Sequence, residues 1–129
     1  MKTILFSILI LFSINGFAFN WKKVGKDVEG NSYYVDASNI KKHNGLVYYW
    51  SLNDFLEPVT GPLGNINSVI YKFKTNCEEE KQTGLNGTFY SQLMGKGRIL
   101  YEHSANEIEY PKPNEVRYLV MKFACYYSK

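Results

Sequence analysis

The chain has 129 residues, enough for one domain, and fifteen Lys and Arg against twelve Asp and Glu give a formal net charge of +3. This charge is well short of that of a nucleic-acid-binding protein, so we expect no nucleic-acid partner. Two His and two Cys leave little material for a metal site, and we expect neither a metal nor a cofactor. A hydrophobic content of 45% favours a globular domain, and the aromatic content of 16%, with eleven Tyr, is unusual.

The first eighteen residues have the layout of a secretory signal peptide. Lys2 supplies a positive start, and an apolar run follows at residues 4–14. Gly16 and Ala18 are the small residues that signal peptidase reads, so we expect cleavage after Ala18 and export of a single domain, residues 19–129. Because the run is shorter than the roughly 20 apolar residues that cross a bilayer, no membrane span is expected after cleavage.

The two cysteines of the chain, Cys77 and Cys125, both lie in the exported part. In an oxidising compartment an even count favours a disulfide, and two Cys allow a single pairing. A redox-active pair would need CxxC spacing or neighbouring basic groups, which this pair lacks. We therefore expect a structural disulfide.

The exported part has the pattern of short strands followed by one helix, which predicts a single α+β domain. We expect an antiparallel sheet of five to six strands, with a C-terminal α-helix packed on it and tethered by the disulfide. The predicted strands are residues 19–25, 32–36, 46–55, 68–75, 88–94 and 97–102. Two segments rich in Pro, Gly and Asn, 57–67 and 106–114, are predicted loops. Apolar residues at helical spacing predict the helix at 114–127, although residues 116–120 also alternate as in a closing strand.

Some side chains are assigned from the same patterns. Trp21 is the expected core anchor of the first strand, and Asp36 is expected to cap a helical turn over residues 36–40. In the strand 46–55 the even-numbered residues are the more apolar, so we expect them to face the core. Tyr49 would then point outward.

An ordered set of short motifs runs through the exported part. Its members are Tyr33-Tyr34-Val35-Asp36, Ile40, the segment from Val47 to Trp50, Leu52-Asn53-Asp54-Phe55, Ser68, Cys77, Met94-Gly95-x-Gly97, Tyr110-Pro111 and Cys125. This set resembles the surface-adhesin protein E family over roughly residues 21–125. The resemblance implies an antiparallel sheet with a C-terminal helix held by a disulfide, and it supports the same cysteine pairing.

The resemblance also implies a function. Family members are extracytoplasmic bacterial proteins, and the best-known member is a lipid-anchored outer-membrane adhesin that binds host matrix and plasma proteins and can form a homodimer. This sequence has no lipid-acceptor Cys after the signal. We therefore expect an exported protein, periplasmic or secreted and displayed at the cell surface only with help, whose partners are extracellular or envelope proteins.

Three charged segments are candidates for functional sites. His103 lies among Glu102, Glu107 and Glu109, a pattern more typical of a solvated strand end than of a metal or acid-base site. The basic turn around His43 and the acidic run 78–80 are expected to be solvated. No Ser-His-acid arrangement or glycine-rich phosphate loop is present, so no catalytic residue is predicted.

The aromatic excess is explained first by ordinary cross-strand packing, with a binding face as the alternative. Tyr is enriched at binding surfaces, and Tyr34, Tyr49 and Tyr126 are the expected outward members of three adjacent Tyr pairs. The family resemblance implies a non-enzymatic binding or adhesion module. The alternatives are a periplasmic small-ligand-binding protein, or a small enzyme or enzyme inhibitor of unknown target.

Overall fold

The computed structural model describes residues 18–128, in which seven strands form one antiparallel sheet and one α-helix packs against it. The predicted signal peptide therefore lies outside the described residues, apart from Ala18. The strands are β1 (Trp21–Lys26), β2 (Ser32–Asp36), β3 (Lys41–His43), β4 (Leu46–Gly61), β5 (Gly64–Asn76), β6 (Lys81–Tyr90) and β7 (Ile99–Glu109). A short 3₁₀ turn spans Leu93–Gly95, and the helix α1 spans Val116–Tyr127.

The α+β prediction is confirmed. The strands lie in the order β1-β2-β4-β5-β6-β7, and the short β3 pairs with the start of β4 across the turn at Asn44 and Gly45. Both turn residues have positive φ, 51° and 78°, as the tightest hairpin turns require. A helix, and not a closing strand, forms at the C-terminus.

Strand extends into both predicted loops. Residues 57–67 continue β4 and β5 as a hairpin, in which Val59 pairs with Ile66 beyond a bulge between Asp54 and Val59. Pro58 lies within that bulge, where a missing N–H costs no ladder hydrogen bond. Likewise β7 continues to Glu109, so residues 106–109 of the predicted loop 106–114 belong to this strand.

Strand β6 begins at Lys81, seven residues before its predicted start, and ends at Tyr90. Its Gly and Asn residues are poor strand formers, yet both neighbouring strands pair with them. The ring of Tyr71 packs closely over Gly87. A Cβ at this position would lie only 2.9 Å from Cε1 of Tyr71, so the contact leaves no room for a side chain. A glycine thus marks a close approach in this strand and not a turn.

The core lies between α1 and the side of the sheet formed by β1, β2 and β4. Its buried members are Val35, Val47, Tyr49, Val120 and Ala124. The predicted disulfide is present between Cys77, just after β5, and Cys125 in α1, with 6.0 Å between their Cα atoms. It fastens the helix to the sheet at one end of this core.

The predicted orientation of β4 is wrong. Val47 and Tyr49, each 1% exposed, face the helix, whereas the even-numbered residues face the other side of the sheet. Both sides are partly covered, since Leu52 is also fully buried, beneath Gly95 of the 3₁₀ turn. The alternation in apolar character was therefore too weak to identify the core side.

Two other assignments change. Trp21 is only half-buried and stacks on Phe19, with 4.6 Å between ring centroids, on the side away from the core cluster. Asp36 is fully buried, and its carboxylate accepts hydrogen bonds from the Ser38 and Asn20 backbone N–H groups and the Asn39 side chain. Asp36 therefore caps a tight turn rather than a helical one.

Candidate functional site

The three tyrosines predicted to form a binding face lie in three different places. Tyr34 is half-buried on the side of the sheet away from α1, and Tyr126 is 81% exposed on the outer side of the helix. Tyr49 is buried in the core, where its hydroxyl donates to Oε1 of Gln82. The prediction that Tyr49 points outward is wrong, because this hydrogen bond satisfies the phenol inside the core.

The side of the sheet that α1 leaves uncovered, here called the open face, combines aromatic and cationic side chains. The register places Trp50 opposite Lys72 and Tyr48 opposite Lys74, so these pairs share that side. The Nζ of Lys72 lies 5.2 Å from the centroid of the Trp50 ring, a cation–π contact.

A concavity of about 510 Å³ opens on this face beside the β3–β4 hairpin. Within residues 18–128 no carboxylate belongs to its lining, which consists of Asn39, Lys41, Lys42, His43, Tyr48, Tyr49, Trp50 and Lys72. Among residues 18–128, none of its three lysines forms an ion pair. The basic turn around His43 is thus part of a larger cationic surface, which sequence reasoning missed because Lys72 joins it only through strand pairing.

The acidic residues around His103 do not form one cluster. His103 Nε2 lies 3.3 Å from Oε1 of Glu107, and both side chains are exposed. Glu109 instead contacts Arg117, and Glu102 pairs with Thr88 on the open-face side of β7. Within the described residues, no three His, Cys, Asp or Glu side chains are placed to hold one metal ion.

The acidic run 78–80 is partly structural. Glu80 accepts hydrogen bonds from the Tyr118 hydroxyl at 2.6 Å and from Lys122 Nζ at 3.4 Å, both on α1. The Tyr118 hydrogen bond is the main reason that the pKa of Glu80 lies below its usual value. The run therefore holds the helix as well as meeting solvent, unlike the fully solvated loop that we expected.

A polar network that sequence reasoning did not find runs from the core to the start of α1. Gln82 Oε1 accepts from Tyr49 and Thr75, and its Nε2 donates to Glu109 Oε1 at 2.8 Å. Glu109 Oε2 then accepts from Arg117 Nη1 at 2.5 Å. Burial, with a smaller effect of the Glu109 charge, raises the pKa of Tyr49 well above its usual value, which keeps the phenol a hydrogen-bond donor.

None of the helices in residues 18–128 combines the length and apolar character needed to cross a membrane.

Comparison with known proteins gives one family and one fold. The model of the surface-adhesin protein E family matches residues 21–126. A structure of Haemophilus influenzae protein E is 18% identical, with a TM-score of 0.66, and the match covers 85% of this chain and 86% of that one. Its crystal form II is also 18% identical, with a TM-score of 0.65 and coverage of 81% and 87%.

Protein E from non-typeable Haemophilus influenzae is likewise 18% identical, with a TM-score of 0.63 and coverage of 87% of this chain and 79% of that one. At this identity the likeness establishes the fold alone. No curated protein sequence matches the chain.

Proposed function

Because the chain belongs to the surface-adhesin protein E family and is a surface adhesin-like protein, we propose that its open face binds an acidic surface of an extracellular or envelope protein. On this proposal residues 1–18 are removed during export and the remaining domain acts without catalysis. The non-enzymatic role rests on the family, and the location of the binding surface rests on the geometry.

The observation that carries the proposal is the concavity on the open face. Its unpaired lysines have no charge within the described residues to satisfy them, so an acidic partner would gain their attraction without breaking internal ion pairs. Trp50 and Tyr48 supply the large, stiff side chains that dominate interface energetics. Tyr34, on the same side of the sheet, would extend this surface.

Protease treatment of intact cells tests the cellular location. Digestion of the protein on intact cells would support display at the surface and adhesion to host proteins. Protection that ends when the outer membrane is permeabilised would restrict the partners to envelope proteins. Host adhesion would then be contradicted, whereas binding within the envelope would stand.

A binding screen with matched variants tests the surface itself. The exported protein would be presented to a panel of purified host matrix, plasma and envelope proteins. We expect Lys72→Glu to weaken capture of the bound partner about tenfold or more, because it reverses a charge beside Trp50. Lys112→Glu changes the same charge on the exposed segment before α1 and should leave capture nearly unchanged. Equal loss from both variants would contradict the proposed surface.

A further inference from the structure

A smaller cavity lies on the helix side of the sheet, next to α1. Its volume is about 220 Å³, room for about seven water molecules. The helix contributes Arg117 and Val120 to one wall, and β7 contributes Glu107 and Glu109. This volume suits a single small head group with a short stem rather than a drug-sized ligand.

The interior of this cavity is aromatic. Tyr33, Tyr71 and Phe73 line it, and the ring centroids of Tyr71 and Phe73 are 5.7 Å apart at an angle of 39°. Gly84 lines the same space and adds no side chain to fill it. Aromatic faces of this kind attract cations as well as apolar groups, because the faces of the rings are negative.

One polar atom in the lining lacks a partner. Asn53 lines the cavity, and its Oδ1 is buried without a hydrogen bond within the described part of the chain. It is the single side-chain atom in residues 18–128 for which this is so. Since an unmade buried hydrogen bond is costly, the atom calls for a donor, and a ligand in the cavity would supply one.

The charges at the cavity favour a positive donor. Two carboxylates and one guanidinium line it, and the guanidinium of Arg117 is already held by Glu109 at 2.5 Å and by Glu115 at 2.7 Å. Glu107, 76% exposed at its side chain, lies 3.3 Å from His103 Nε2 and is the lining carboxylate that Arg117 does not bind. Burial, and after it the charges of Glu107 and Glu109, raises the pKa of Tyr71, as expected beside a negative site.

We propose that this cavity binds a small organic cation whose ammonium or guanidinium group donates to Asn53 Oδ1 while its apolar stem lies against Tyr71 and Phe73, with the charges of Glu107 and Glu109 attracting the cation to the cavity. Such a group can come from a free alkylamine or from a Lys or Arg side chain of a peptide. The site is on the opposite side of the sheet from the open face, so it stands independently of the proposed adhesive surface.

Titration of the exported protein with matched probes tests the ligand class. Pentylammonium, 1-pentanol and pentanoate share a stem and differ in charge, and N-acetyl-lysine amide represents a peptide side chain. We expect a cation to bind at one site, at least about tenfold more tightly than 1-pentanol, with pentanoate weakest.

The two cationic probes distinguish the sources. Tighter binding of pentylammonium supports a free amine, and equal or tighter binding of N-acetyl-lysine amide supports a peptide side chain. Binding of neither cation, or equal binding of 1-pentanol, would overturn the proposal. Stronger binding of pentanoate would overturn it as well.

Matched variants locate the bound cation. Glu107→Gln should weaken binding about threefold, as expected for an exposed charge, whereas Glu102→Gln, on the same strand but the opposite side of the sheet, should leave it unchanged. Asn53→Leu should weaken binding about tenfold without lowering thermal stability, because it removes an acceptor that has no partner. Equal effects of Glu102→Gln and Glu107→Gln would overturn the location, and the exposed Glu107 keeps this test valid if Asn53→Leu fails to fold.

Discussion

Three aspartates of this domain accept hydrogen bonds from backbone N–H groups. Asp27 accepts from Glu29 and Asn31 in the β1–β2 turn, and Asp54 accepts from Met94 of the 3₁₀ turn at 2.7 Å. Asp36, the last residue of β2, accepts from the Asn20 and Ser38 backbone N–H groups. Hydrogen bonds of this kind are stronger than neutral ones. The aspartates of the Tyr-Tyr-x-Asp and Asn-Asp motifs thus have structural roles that explain their place in the sequence without any catalytic chemistry.

Asp27 should make stability depend on pH. Burial acts to raise its pKa, but hydrogen bonds from Asn31, Tyr33 and Glu29 outweigh burial, so the folded pKa lies below the ordinary value. Tyr33, which donates to this carboxylate, has its pKa raised to about 12 by burial and by the Asp27 charge. The contribution of Asp27 is therefore present above its unfolded pKa of about 4 and lost as pH falls through the lower folded value.

We expect the wild-type protein to lose more unfolding free energy between about pH 5 and pH 3 than Asp27→Asn, which cannot titrate there. At neutral pH the variant should be about 1 kcal/mol less stable, because neutral acceptors form weaker hydrogen bonds. Urea unfolding of both proteins across this range measures the difference. The same pH dependence in both would exclude Asp27 as the cause.

At the scale of elements, α1 is fixed to the sheet at two places. The disulfide joins it to the end of β5, and Glu80 receives hydrogen bonds from Tyr118 and Lys122. The helix buries Val120, Met121 and Ala124. Because a single helix covers the core, its attachment governs the stability of the whole domain.

Removing the disulfide should lower the melting temperature strongly. Cys77 and Cys125 are 48 residues apart, so the chain-entropy estimate of the loss is up to about 4 kcal/mol. Cys77→Ser and Cys125→Ser should cause equal losses, and the double variant should lose little more, since each removes the same bond. An unchanged melting temperature in either variant would contradict this role of the disulfide.

The sequence was most informative where side-chain chemistry acts locally. Strand patterns identified β2, residues 46–55 of β4 and residues 68–75 of β5, and helical spacing identified α1. Strand β6 was largely missed because Gly84 and Gly87 are there for close packing against Phe73 and Tyr71, a reason visible only once β5 lies beside them. The cationic concavity was missed for a similar reason, since Lys41 and Lys72 meet only through the β3–β4–β5 pairing.

At the scale of the whole molecule, the sheet separates the cationic concavity from a cavity lined by two carboxylates and one guanidinium. Lys72 points to the cationic open face, while its neighbours Tyr71 and Phe73 in β5 line the cavity on the helix side. This separation follows from the alternation of a strand, in which successive side chains lie on opposite faces. One strand therefore serves both proposed sites without placing their charged groups on the same surface.

The two sites should consequently respond independently to substitution. We expect Lys72→Glu to weaken partner capture while changing pentylammonium affinity by less than about twofold. Glu107→Gln should weaken pentylammonium binding while leaving partner capture nearly unchanged. The reason is that separated sites without shared partners behave additively. The double variant should combine the two single losses, as measured by capture and by titration on the same preparations. Partner capture should also fall as salt rises, since the lysines of the open face are accessible to screening ions. A loss of amine affinity in Lys72→Glu would contradict this independence and would mean that β5 couples the two faces.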